Sequence, residues 1–188
     1  FYLDDPEGNG VELYVDRPRA EWTWHGDRVA MDTLWLDPNG FLAEHLTDAA
    51  RDYLETAPDR RPALAGTAAQ VVGHVHLKVG QTALAKDFYV DALGFEVTAD
   101  LPGALFVSAG GYHHHMAMNT WQSAGVGLRA PALGLGRVAI EVPSVDDVLQ
   151  AAARLRGRGL DVALDAAADA ARLSVDDPWG NRVEVATS

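Results

Sequence analysis

The sequence predicts an α+β fold built from tandem βαβββ modules. Three observations point to it. The first is a repeat: Asp4-Asp5-Pro6-Glu7-Gly8-Asn9-Gly10-Val11-Glu12 returns as Asp176-Asp177-Pro178-Trp179-Gly180-Asn181-Arg182-Val183-Glu184, at a constant offset of 172 residues. Pro and Gly-Asn set a turn in both copies, and an alternating apolar run with a Glu in it follows. The second is a strand–helix–strand–strand–strand order of hydrophobic patterns between residues 71 and 121. The third is the return of that order between residues 136 and 186, and internal repetition is the strongest organising signal a chain can carry.

The elements follow in order. Residues 1–16 read as a turn and a strand, the last strand of an incomplete module whose preceding part is expected to lie outside this sequence. Such a strand exposes its edge, so it is expected to pair with a second chain or a preceding segment, which favours a homo-oligomer. Residues 17–70 form a connecting segment with Trp22, Trp24 and Trp35. Asp37-Pro38-Asn39-Gly40 makes a turn before a helix around 41–55, and 57–69, rich in Ala, Pro and Arg, reads as a linker. The complete two-module domain spans 71–188. In its first half Val71–Val79 alternates as a strand, with Gly73, Val75, Leu77 and Val79 on one face and His74, His76 and Lys78 on the other. Thr82–Ala92 reads as a helix burying Ala83, Ala85, Phe88, Tyr89 and Leu93, stopped by Gly94. Phe95–Ala99, Ala104–Ser108 and His113–Trp121 are strands separated by Pro102-Gly103 and Gly110-Gly111. Alternation then places His113 and His115 with Ala117 and Asn119, and His114 on the opposite face with Met116 and Met118. In the second half Gly136–Val142 is a strand, and Ser144 caps a helix over Val145–Arg156 that turns Val148, Ala151, Ala152 and Leu155 inward. Leu160–Leu164, Ala171–Asp176 and Arg182–Ala186 close the module.

Composition narrows the function. The chain has 188 residues, 48% hydrophobic and 22% charged, enough for a sizeable core. Its net charge of −12 argues against nucleic acid or an anionic membrane as a partner. No apolar run approaches the ~20 residues that span a bilayer. The absence of cysteine excludes disulfides, thiolate ligands and a Cys nucleophile, and fits a reducing cytoplasm. No phosphate-binding glycine loop, Gly-x-Ser-x-Gly elbow or zinc-protease helix is present. Trp22, Trp24 and Trp121 read as core or interface residues.

Gly73-His74-Val75-His76-Leu77-Lys78-Val79, then Phe88-Tyr89, Leu93-Gly94-Phe95 and Asp177-Pro178-x-Gly180-Asn181-x-Val183-Glu184, resemble the vicinal oxygen chelate superfamily of glyoxalases, bleomycin-resistance proteins and extradiol dioxygenases. Gly110-Gly111-Tyr112-His113-His114-His115 running into Asn119-Thr120-Trp121, and Glu12-Leu13-Tyr14-Val15-Asp16-Arg17-Pro18, are similar to its catechol 2,3-dioxygenase-like members. The resemblance implies a cup formed by paired modules around a divalent metal, Fe(II) first, with Mn, Ni or Zn as alternatives. It implies His74 and Glu184 as ligands, and His115 as a third ligand or the acid–base group. His76 and Asn119 would line the pocket for a small aromatic diol, His76 as a second acid–base candidate, with His113 on the same face. The chain departs from the pattern at Arg137, which stands where a second histidine is usual, and a guanidinium does not ligate metals. Three resolutions stay open. His115 or His113 supplies the missing ligand; or the cup is metal-free and Arg137 binds an anion or pairs with Glu184; or the metal lies in another cup, with Glu12 as its last-strand ligand. The implied activity is extradiol ring cleavage. A glyoxalase-like lyase or isomerase and a metal-free binding protein are the alternatives.

Overall fold

A computed structural model describes residues 1–32, 34–56 and 71–187, and divides the chain into two units, Phe1–Ala30 with Gly73–Ser188, and Met31–Val72. The first unit opens with a hairpin of β1 (Tyr2–Asp4) and β2 (Gly10–Glu12). A 3₁₀ turn at Arg19–Glu21 leads to a second small hairpin, β3 (Trp24–His25) and β4 (Arg28–Val29). The smaller unit holds α1 (Pro38–His45) and α2 (Asp48–Thr56). The single helix expected over 41–55 is therefore two. Leu46 turns to an extended backbone, Thr47 restarts the helix by accepting from Ala50 N, and Arg51 Nη2 donates to Ala43 O to tie the pair together. Asp37 caps α1 by accepting from Asn39 N, with Pro38 in the first turn, where its missing N–H costs nothing. The linker expected at 57–69 lies outside the described residues.

The first module comprises β5 (Val75–Lys78), α3 (Thr82–Lys86), β6 (Glu96–Leu101), β7 (Ala104–Ser108) and β8 (Met116–Asn119). The second comprises β9 (Val138–Val142), α4 (Val145–Gly157), β10 (Ala163–Ala166), β11 (Ala171–Asp176) and β12 (Arg182–Thr187). Each module makes one four-stranded sheet, in the orders β5-β8-β7-β6 and β9-β12-β11-β10. In both, the first strand lies parallel to the last and the other pairs are antiparallel. The expected βαβββ repeat is thus present twice, with one topology.

Several boundaries differ from the sequence reading. The strand expected over 71–79 shrinks to β5, with Val71 and Val72 exposed. After α3 the helix expected over 82–92 widens into a π-turn at Asp87–Ala92. The extra residue in that turn keeps Ala85, Phe88, Tyr89 and Leu93 in the core but leaves Ala83 exposed. Gly94, at φ +103, ends it as expected. The strand expected over 113–121 is confined to β8, because the chain bends through the histidines. Ser144 forms a full capping box with Asp147 on α4.

One apolar core joins the modules. Leu77, Tyr89, Leu105 and Met118 from the first meet Val148, Leu155, Leu173 and Val183 from the second. Polar contacts fasten it: Arg154 donates to Ala92 O and Leu93 O, and Trp179 Nε1 donates to Val126 O. The sheet of the first module turns Leu77, Leu105, Val107, Met116 and Met118 into this core. His76, Phe106 and Ala117, matched across β5, β8 and β7, alternate to the other face.

The repeated turn is built alike in both copies. Asp5 Oδ1 accepts from Glu7 N and Asn9 N, and Asp177 Oδ1 from Trp179 N and Asn181 N. Gly8 and Gly180 both have φ +81, which a side chain would resist. The register agrees too: Tyr2↔Glu12 and Leu3↔Val11 correspond to Ser174↔Glu184 and Val175↔Val183. Burial does not agree. Val183 is 0% exposed and Val11 37%.

Candidate metal centre

The face of the first sheet turned away from the core carries the histidines, and residues 12–22 cross it. Glu12 ends β2, and its Oε2 lies 2.8 Å from His74 Nε2 and 3.9 Å from His76 Nε2. Tyr14, two residues on, stacks on His74 with ring centroids 4.7 Å apart. Gly73 makes room for this, since a Cβ there would stand 1.7 Å from the Tyr14 hydroxyl. Tyr14 and Tyr112 hydroxyls lie 3.0 Å apart, and Tyr112 donates to Asp16 Oδ2. Trp22 packs edge-on against Tyr112 and His113, with the Arg19 guanidinium over its ring. Trp121, read as core or interface, is exposed under Lys78 Nζ and so is not a core residue.

The three consecutive histidines separate. His115 keeps its backbone in the sheet, taking Val107 O and giving its own carbonyl to Val75 N. Its Nδ1 accepts from Ala109 N and lies 3.0 Å from Ser108 Oγ, so the neutral ring carries its proton on Nε2. His113 is held through its carbonyl by Thr98 Oγ1, with its Nδ1 3.6 Å from Asp16 Oδ1. His114 is buried against His74, His113, Phe106 and His76. The alternation expected across 113–119 sent His114 to the face of Met116 and Met118. The structure puts it on the face of His76 and Ala117 instead, because Gly110 and Gly111 adopt positive φ and residues 113–115 bend before the strand begins.

Two overlapping donor sets result, Glu12–His74–His76 and His74–His113–His114, each with ligand atoms within 4.8 Å of one another. Of the residues singled out from sequence, Glu12, His74, His76 and His113 come together. His115, Asn119, Arg137 and Glu184 belong to neither set. Asn119 caps the turn after β8 by accepting from Trp121 N. Arg137 Nη1 lies 3.1 Å from Glu184 Oε2, the pairing foreseen as one answer to the missing histidine. Glu12 stands where Glu184 stands in the repeat, and His74 where Arg137 stands. Each glutamate meets a nitrogen side chain, an imidazole for Glu12 and a guanidinium for Glu184. His114 is the member that sequence reasoning set aside, and only the two glycines ahead of it hinted that alternation would fail.

Electrostatics keep the cluster ready for a cation. Burial lowers the pKa of His76, helped by the charge of His74 and opposed by Glu12. Burial likewise lowers His113 and His115, and pushes His114 down to about 2. Burial would raise Glu12, but hydrogen bonds from His74 and Tyr2 outweigh it and hold the carboxylate below its usual range. These rings are neutral in the fold and take up protons once unfolded, so the unfolded chain binds more protons below about pH 6.5. Stability of the metal-free chain is expected to be level above about pH 6.5 and to fall steadily below it. Urea midpoints at pH 5.5 and 7.5, in chelator, measure this; an equal or higher midpoint at 5.5 would contradict the neutral cluster.

Paired βαβββ modules that gather carboxylate and imidazole donors on one sheet face define a class of fold with a donor set that could hold a metal ion. The sequence profile of the Glyoxalase/Bleomycin resistance protein/Dioxygenase superfamily matches residues 71–185, and the chain belongs to that family. It is 37% identical over 172 residues to a catechol-2,3-dioxygenase of Bacillus subtilis (strain 168), covering 86% of this chain and 54% of that protein. It is 28% identical over 116 residues to a biphenyl-2,3-diol 1,2-dioxygenase 3 of Rhodococcus globerulus, covering 61% of each. The chain thus spans between half and two thirds of the length of these relatives. Among solved structures, a lactoylglutathione lyase from Agrobacterium tumefaciens superposes with a TM-score of 0.50 at 20% identity, over 65% of this chain and 96% of that one, a likeness of fold. Among the described residues, no helix is long and apolar enough to cross a membrane.

Proposed function

We propose that this chain is an extradiol-dioxygenase-like metalloenzyme acting on catechol-type small aromatic diols, with a divalent metal, Fe(II) first, held by Glu12, His74 and His76. The observation that carries this is the 2.8 Å approach of Glu12 to His74 with His76 beside it. Two imidazoles and one carboxylate are the donor set suited to ferrous oxygenases. The His74 ring is held in place by Tyr14 stacked on it and by Glu12 at its Nε2, so its donor nitrogen already faces the carboxylate with which it would share an ion.

The metal, when bound, supplies chelation of two vicinal hydroxyl oxygens and a redox path between ring and O2. The chain's own residues do the rest. Tyr14 and Phe106 give apolar ring surface beside the imidazoles. His76, partly exposed, is placed to take a proton from an incoming hydroxyl, and a neutral imidazole is the form that can accept one. In this reading His115, with its proton on Nε2, is the group that returns one. In this reading Asn119 and Arg137 are structural, and Arg137 neutralises Glu184. Leu3, Val11 and Leu13 remain exposed on the first hairpin, which supports a homo-oligomer in which this face is covered.

Arg137 favours a second reading, a metal-free binding protein; a lyase or isomerase using Ni, Zn or Mn is the other alternative. The test is iron per chain after anaerobic loading, with oxygen uptake on catechol, for the parent and for His74→Ala. About one iron retained at the carboxylate set and catechol-dependent uptake, both abolished by His74→Ala, is the expected result. Metal without uptake would point to the lyase or isomerase, and neither would leave the binding protein.

A further inference from the structure

The ferrous reading uses Glu12, His74 and His76, and leaves two histidines of the same cluster without a task. His114 is 5% exposed, and neither of its ring nitrogens has a hydrogen-bond partner. An imidazole always carries a lone pair or an N–H at each nitrogen, and leaving such a group buried and unpaired costs about 1–3 kcal/mol. Folded proteins rarely keep an unpaired group of this kind without a reason, and a bound ion is one such reason. The nitrogens without a hydrogen bond also cluster: His74 Nδ1 is buried and has none, and His113 Nδ1 is buried with only the Asp16 carboxylate near it, at 3.6 Å. His74, His113 and His114 each offer a donor within 4.8 Å of the other two. On His74 the two nitrogens differ, since Nε2 faces Glu12 while Nδ1 has no partner.

We propose that His74, His113 and His114 form a second cation subsite of nitrogen donors only, which takes a late first-row divalent ion such as Zn(II) or Cu(II). It rests on the Glu12 reading only in sharing His74, whose two nitrogens serve one cation each. An all-imidazole set suits zinc and copper, whereas the carboxylate-containing set suits iron and manganese, so the two positions differ in preference. Burial keeps His113 and His114 neutral, the form that offers a lone pair. Filling both positions requires His74 to give up its remaining ring proton, so loading the second cation releases a proton.

The test is titration of the metal-free full chain with Zn(II) by calorimetry in two buffers of different ionisation enthalpy, with bound zinc counted after gel filtration. Two equivalents are expected in the parent, one in His114→Asn and one in Glu12→Gln, with extra proton release on the second equivalent. Circular dichroism checks that each variant folds, and His113→Gln, at a less buried position, stands in if His114→Asn does not. Zinc binding that His114→Asn and His113→Gln leave unchanged overturns the proposal while sparing the Glu12 centre. Two equivalents in Glu12→Gln would instead sink the Glu12 centre and spare this subsite. No zinc in the parent overturns both.

Discussion

Replacing Glu12 by Gln is expected to strip the chain of Fe(II), while Glu184→Gln leaves iron retention unchanged. The two residues hold one position in the internal repeat, and the resemblance alone favoured Glu184. Their partners favour Glu12. Glu184 faces a guanidinium that is always protonated and has no lone pair to give. Glu12 faces His74 at 2.8 Å with His76 behind it. Gln keeps the shape at position 12 but removes the anionic oxygen, leaving two neutral imidazoles to hold a hard-to-borderline cation. Loss of outer-shell partners alone costs roughly 10–100-fold in metal affinity, and loss of a direct ligand is expected to exceed that. Iron per chain after gel filtration, for both variants, gives the answer. Iron lost from Glu184→Gln and kept by Glu12→Gln would return the site to the second module.

Asp177→Ala is expected to destabilise the fold by about 4 kcal/mol, whereas the same change at Asp5, in an identically built turn, is expected to leave the urea midpoint almost unmoved. Asp177 is buried and accepts four hydrogen bonds, from Trp179 N at 2.9 Å and from Asn181 N, Asn181 Nδ2 and the Tyr89 hydroxyl at 2.8 Å each. Hydrogen bonds to a charged group are worth about 1.5–3 kcal/mol, and alanine would leave several buried donors with nothing to meet. Tyr89 would suffer most: it is fully buried, and burial and then the Asp177 charge hold its hydroxyl firmly protonated. Asp5 makes the corresponding bonds to Glu7 N, Asn9 N and Asn9 Nδ2, but it is only half-buried, so water can replace what is lost. Urea unfolding of both variants measures the contrast. Equal losses would mean that the turn itself, and not what packs on it, carries the energy.

Much of the fold was legible because it rests on local signals. Ser144 with Asp147, Gly94, Pro102-Gly103 and the alternation of β7 and β11 place elements by short-range sterics and hydrogen bonding, which neighbouring residues dictate. Where the reading slipped, a non-local force had overridden the local one. The π-turn at 87–92 places Phe88 and Tyr89 into a core shared with the second module. The break in alternation at 113–115 turns His114 under His74. The candidate site was half legible. His74, His76 and His113 were singled out from their setting. Asn119 and His115, chosen on strand parity and likeness, proved to be engaged with Trp121 N and with Ala109 N.

By itself the sequence determined that the chain is a repeat: two modules of one topology, one turn made twice, and a glutamate at the same place after each turn. Those features follow from spacing, and spacing is written in one dimension. Which glutamate meets an imidazole, which aspartate is buried, and which two of three adjacent histidines enter the cluster were decided by tertiary structure alone. The reason is physical. A carboxylate's role depends on the charge and solvent around it, and Glu12 draws His74 from 62 residues along the chain. Asp177 likewise takes Tyr89 from 88 residues away. Local pattern encodes the backbone that brings such partners near, but the energy of each pair exists only once folding has removed the water between them.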